Sequence, residues 1–187
     1  MKKISGFTIL ELLFTLLVAS IILSLGVPAF QDMIRNNRIA SQTNDVLSTL
    51  NLARSEAIKR GRRVVLCKSD KIDDLPTCTT AGNCCSTETG DWEKGWIVFV
   101  DANNDAVLDA ADTVLRVHGA LEGDSTLQGT ATMANYISYA PDGATRLAGG
   151  GNFLAGTLTL GLCNSVRQRN TIVISSAGRA RVEKVSC

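Results

Sequence analysis

An α+β fold, with one long N-terminal helix packed on antiparallel β-sheet, is what this sequence predicts. Three observations carry the prediction. An apolar run opens the chain, from Phe7 to Phe30. An apolar stripe at helical spacing follows it to residue 58. After Gly61 the pattern changes to short β-branched runs separated by Gly- and Asp-rich stretches.

The opening run is long enough to span a bilayer, for which about 20 apolar residues suffice. Lys2 and Lys3 precede it and would hold the N-terminus in the cytoplasm. A cleavable secretory signal would have a shorter core and a small-residue site after it. Here the small pair Ala19-Ser20 is followed by more apolar sequence, Ile21 to Leu25. Glu11 also lies inside the run, where an ionisable group costs about 2.5–3.5 kcal/mol. The segment holds no basic residue to pair with it, so its partner must be another molecule or a free amino terminus. Pro28 near the outer end predicts a bend.

Beyond Pro28, Ile34, Ile39, Val46, Leu47, Leu50, Ala53, Ala57 and Ile58 form the stripe. Arg35, Asn36, Arg38, Gln42, Asn44, Asp45, Arg54 and Glu56 fill the other positions. Gly61 after Lys59 and Arg60 is a natural stop. One helix therefore runs over about residues 8–60, about 80 Å at the standard rise. Lys59, Arg60, Arg62 and Arg63 read as charge matched to a helix C-terminus, with an anion-binding surface as the alternative.

Strands are predicted at 63–67, 96–100, 113–117, 136–139, 157–162, 171–175 and 180–185. Residues 69–95 read as an irregular, disulfide-stapled loop. The domain plan is 1–6 leader, 7–30 membrane and assembly helix, 31–60 amphipathic continuation, and 61–187 β-rich globular domain.

Six cysteines, Cys67, Cys78, Cys84, Cys85, Cys163 and Cys187, all follow the apolar run. Across a membrane they would sit on the oxidising side, where disulfides persist. Cys163 is expected with Cys187 and the other four pair locally, although six cysteines allow 15 full pairings. Adjacent Cys84 and Cys85 would be strained partners. Zinc is disfavoured, since no pair of CxxC motifs is present and His118 is the one histidine.

Charge is uneven although the chain is nearly neutral, with 19 basic and 18 acidic residues. Residues 70–124 hold twelve acids against three bases, and 163–187 hold five bases against one acid. Asp101, Asn103, Asp105, Asp109 and Asp112 echo the ligand spacing of an EF-hand calcium loop. Ala106 replaces its glycine, however, and strands flank it, so an Asp/Asn-rich turn is the preferred reading. Near the C-terminus, Gly178-Arg179-Ala180-Arg181 places two arginines at i and i+2, about 6.6 Å apart on one face of a strand. That is close to two phosphate steps along a DNA strand, at about 3.4 Å each. Arginine presents a planar, permanently charged donor fork to phosphate oxygens. Arg167, Arg169 and Lys184 widen the patch by charge alone. No Phe, Tyr or Trp falls in 163–187, so binding there would rest on phosphate contacts with little sequence preference. No phosphate loop or triad suggests an enzyme, and no cofactor is expected.

Gly6-Phe7-Thr8-Ile9-Leu10-Glu11 resembles the class III signal of type IV pilins and type II secretion pseudopilins. Gly95 to Asp101, Pro141-Asp142-Gly143, Ile172-Val173-Ile174 and Gly178-Arg179 resemble, in that order, the FimT/FimU/GspH branch of minor pilins and pseudopilins. The resemblance implies a type IV pilin-like fold. It implies cleavage by a prepilin peptidase after Gly6, N-methylation of Phe7, and a meeting of Glu11 with a neighbouring subunit's terminal amine. The partners implied are other pilin subunits, the peptidase, the inner membrane before assembly, and DNA. The globular domain would be periplasmic and then part of an extracellular pilus. Gly178-Arg179-Ala180-Arg181 resembles the C-terminal GRxR motif of FimT-like pilins, which implies DNA binding by Arg179 and Arg181 in natural transformation. The alternative within the family is a structural or priming subunit like FimU or GspH.

Overall fold

The computed structural model describes residues 6–88, 90, 92–123, 125–161 and 168–186, without the side chain of residue 168. Two compact units divide between Arg38 and Ile39, and one helix, α1 (Ile9–Arg60), contributes to both.

In the first unit, α1 is long and apolar enough to cross a membrane, with a mean hydropathy of 2.4 over its most apolar window. Thr8 begins it: the Glu11 amide donates to the Thr8 hydroxyl at 3.3 Å and the Leu12 amide to the Thr8 carbonyl at 3.1 Å. Thr8-Ile9-Leu10-Glu11 is thus a capping-box sequence, and Glu11 sits where the helix dipole favours a carboxylate. The hydroxyls of Thr15, Ser20 and Ser24 each donate 2.8 Å back to the carbonyl three residues earlier. In a bilayer, where lipid offers hydroxyls no partners, this internal bonding would remove a desolvation cost. The helix continues through Pro28 without a break.

The second unit begins with the remaining turns of α1. Ile39, Val46, Leu50, Ala53 and Ala57 are buried as the stripe predicts, while Ile58, and Ile34 in the first unit, are exposed. Gln42, Thr43 and Thr49 share the buried face, which corrects the placement of Gln42 among the solvent positions. Each is hydrogen-bonded there, Thr49 donating to the Asp45 carbonyl at 2.8 Å. Gln42 Nε2 donates to the Glu122 carbonyl at 3.0 Å, and Thr43 donates to the Ile39 carbonyl at 2.6 Å. Buried polar groups are tolerated when so bonded.

The β-rich part is antiparallel as expected and consists of two four-stranded sheets among the described residues. The first uses β1 (Arg63–Lys68), β2 (Trp96–Asp101), β3 (Thr113–His118) and β5 (Tyr136–Tyr139), in the order β3-β2-β1-β5. The second uses β4 (Leu127–Gly129), β6 (Gly156–Leu160), β7 (Gln168–Ile174) and β8 (Ala180–Ser186), in the order β4-β6-β7-β8. The short β4 has no sequence signature and escapes the strand prediction.

The unbroken apolar run of β2 follows from burial on both faces. Alternate residues divide between two cores, as strand geometry demands. Val64, Leu66, Trp96, Val98 and Val100 join the core beneath α1. Val65, Cys67, Ile97 and Phe99 face a second core with Cys78, Cys84, Ala106 and Leu108. The segment expected as an irregular loop therefore covers the outer face of the first sheet, and it contains a short helix, α2 (Leu75–Ala81). Cys67–Cys85 and Cys78–Cys84 staple it there. Cys163 and Cys187 lie outside the described residues.

Candidate functional site

Gly178 and Arg179 close the hairpin between β7 and β8. The Ser175 amide donates to the Arg179 carbonyl at 3.0 Å, and the Gly178 amide donates to the Ser175 carbonyl at 2.8 Å. Ser176, Ala177 and Gly178 form a three-residue loop, whose last position is left-handed at φ +76°. Glycine is needed there twice over. The left-handed backbone costs other residues about 1–2 kcal/mol. A Cβ at this position would also overlap the Gly143 carbonyl oxygen and approach Tyr139 Cε1 to 3.2 Å.

That close approach brings two sequence motifs together. The turn Pro141-Asp142-Gly143 packs against Gly178, and Arg54 of α1 clamps both. Its Nε donates to the Gly143 carbonyl at 3.0 Å and its Nη2 to the Ala177 carbonyl at 3.1 Å. Tyr139 lies beneath, and burial pushes its phenol pKa upward. Thr145 adds a second clamp, its hydroxyl donating to the Ser175 carbonyl at 3.0 Å and its amide to the Ser176 carbonyl at 3.1 Å. The base of the turn is fixed, while the side chain of Arg179 is exposed.

Arg181 is exposed too, and its Nη2 lies 2.7 Å from Glu183 Oε1. Register places the rest of the expected patch. Arg181 pairs with Val173 and Val185 with Arg169, so Arg169 and Arg181 share one face of the sheet. Lys184 pairs with Asn170, whose side chain reaches Thr43 of α1, so Lys184 is on the opposite face. Lys184 therefore does not extend the Arg181 face. The i/i+2 parity that groups Arg179 with Arg181 separates Lys184 from them. Arg167 lies outside the described residues.

The basic cluster after α1 is dispersed. Lys59 and Arg60 approach Glu56 at 3.7 and 2.5 Å, and the Arg60 hydrogen bond lowers the Glu56 pKa. Arg63 is buried, donating to Ser138 Oγ at 2.7 Å, to Asn104 Oδ1 at 3.2 Å and to the carbonyls of Arg146 and Leu147. It braces loops rather than facing solvent, so it is unavailable to an anion-binding surface.

The acidic loop between β2 and β3 uses its own carboxylates as turn acceptors. Asp101 accepts from the amides of Asn104, Asp105 and Ala106, and Asp112 from those of Ala102 and Asp109. Ala106 is left-handed at φ +60°, the conformation for which glycine stands in an EF-hand. Desolvation raises the Asp112 pKa. Among the described residues no group of three or more His, Cys, Asp or Glu side chains is placed to hold a metal ion. Gly6, Phe7 and Glu11 are exposed at the start of the first unit.

A family model described as type II transport protein GspH matches residues 42–178. No curated protein sequence matches the chain. Two crystal structures of the type IV minor pilin FimU from Pseudomonas aeruginosa strain PAO1 share its fold at 18% identity. The form in space group P21 has a TM-score of 0.54 and aligns over 81% of this chain and 92% of FimU. The P65 form has a TM-score of 0.51, over 77% and 91%.

Proposed function

The chain belongs to the family of the type II transport protein GspH, and from that premise we propose that it is a membrane-anchored minor pilin that captures extracellular DNA for uptake in natural transformation. The observation carrying the DNA reading is the arginine turn. Two exposed arginines project from a hairpin whose base is fixed by Arg54, Gly143 and Thr145. A rigid mount removes the loop-ordering part of the entropy lost when a charged side chain engages a phosphate. Non-specific, salt-sensitive binding is the behaviour expected of such a site.

The anchor reading rests on the apolar helix and on the hexapeptide Gly6 to Glu11. A prepilin peptidase would cut after Gly6 and expose the Phe7 amine for methylation and for contact with Glu11 of a neighbouring subunit. Intact-mass measurement of the mature chain tests this. A methylated terminus at Phe7 is expected, and cleavage beyond Ser20 would contradict it.

Two observations favour a second reading, a structural or priming subunit whose partners are other pilin subunits alone. Arg181 is already engaged by Glu183, and both arginines lie beyond the segment matched by the family model. Glu183→Gln separates the readings. If Arg181 contacts phosphate, freeing it raises DNA affinity by about two- to fivefold, in line with the worth of the exposed ion pair that no longer competes. Unchanged affinity would remove Arg181 from the interface.

A further inference from the structure

We propose that Phe153 is a stacking platform for the bases of single-stranded DNA, set beside the arginine turn and held in place by Arg146. The inference rests on the DNA-binding reading and extends it to the form of DNA preferred.

Among the aromatic residues of 39–187, Phe153 is the one exposed ring, at 61%. Leaving a phenylalanine in water forgoes about 1.5–3 kcal/mol of burial. The ring is nonetheless oriented. Arg146 and Phe153 form an antiparallel bridge, and the guanidinium carbon sits 4.5 Å from the ring centroid. Arg146 is itself fixed, donating to Asp142 Oδ2 at 2.8 Å and to the Gly151 carbonyl at 3.0 Å. One ring face therefore carries a cation, while the residue as a whole stays exposed to solvent.

The ring is close to the turn by a short path of direct bonds. The hydroxyl of Thr145 shares its one proton between the carbonyls of Leu154 and Ser175. Leu154 adjoins Phe153, and the Ser175 amide bonds the Arg179 carbonyl. Thr145 and Leu154 are buried, so alternation directs Arg146 and Phe153 outward. The aromatic group missing from the C-terminal sequence is thus supplied by a hairpin distant in sequence.

The chemistry favours an unpaired strand. A base–aromatic stack needs an exposed base face, which a duplex keeps inside its own stack. The Asp142 carboxylate compensates the Arg146 charge. This corner therefore offers a flat surface rather than another phosphate contact, and its loss leaves the count of neutralised phosphates unchanged.

The test uses the full chain in non-ionic detergent, with a 20-nucleotide oligothymidylate and a 20-base-pair duplex titrated by fluorescence anisotropy at several salt concentrations. Phe153→Leu keeps apolar bulk and removes the flat ring, and Phe153→Tyr keeps the ring. The proposal expects Phe153→Leu to weaken single-strand binding about five- to a hundredfold, the range for one lost base stack. Duplex affinity and both salt slopes stay as in the parent, and Phe153→Tyr binds like the parent. Equal loss on both DNAs, or no loss on either, overturns the stacking site and leaves the arginine turn standing. Failure of the parent to bind either DNA overturns both.

Discussion

Replacing Arg179 and Arg181 together by alanine is expected to remove nearly all DNA binding while leaving the fold intact. Each arginine offers a charge-assisted contact worth about 1.5 kcal/mol or more, roughly tenfold in affinity, so the pair accounts for about a hundredfold. The plot of log affinity against log salt should also flatten, its slope shrinking by about 2 as two phosphate contacts disappear. Folding should be spared because neither side chain is in the core and the clamps on the turn come from Arg54 and Thr145. Thermal melting beside anisotropy checks both halves. A double variant that binds as the parent does would place any DNA site elsewhere on the chain.

The largest effect on stability is expected from Gly178→Ala. Two costs combine, the left-handed backbone and the overlap with the Gly143 carbonyl. Backbone against backbone gives little room to relax, and we expect a loss of about 2–4 kcal/mol, a melting point lower by roughly 5–15 °C. Gly149→Ala is the control. Its φ is +66°, but nothing lies within 4 Å of its added Cβ, so it carries the backbone cost alone. Equal melting points for the two variants would mean that the Gly178–Gly143 contact contributes nothing. The variant also links fold and function, because disturbing the loop before Arg179 should weaken DNA binding along with stability.

Local patterns in the sequence were enough to place most elements of this fold. Lys59, Arg60 and Gly61 end α1 where the charge and the glycine predict, and seven strands stand near their β-branched runs. What escaped depends on contacts between distant segments. The burial of Gln42 is decided by the Glu122 carbonyl 80 residues on. Lys68 is wholly buried in β1 with its ammonium on loop carbonyls, against the usual preference of lysine for water. The cover over the first sheet, with α2 and two disulfides, has its apolar contacts spread over residues 65–108 and no local periodicity.

The candidate site divides in the same way. Gly178, Arg179 and Arg181 are adjacent in sequence and could be read as a motif. Their supports could not: Arg54 reaches across 89 residues to Gly143 and 123 to Ala177. Charge composition misled at two points, because it ignores strand parity and burial. It grouped Lys184 with Arg181 across a sheet, and it left Arg63 open to an anion-binding surface that its burial rules out. Phe153 was invisible as a partner of the turn, since only the fold brings its hairpin against Ser175.

The most direct test of the central claim is the salt dependence of DNA binding by the full chain in detergent. With two to four phosphates neutralised, log affinity is predicted to fall against log salt with a slope of about −2 to −4. A slope near zero, or no binding at low salt, would contradict DNA capture and leave the structural minor pilin as the function.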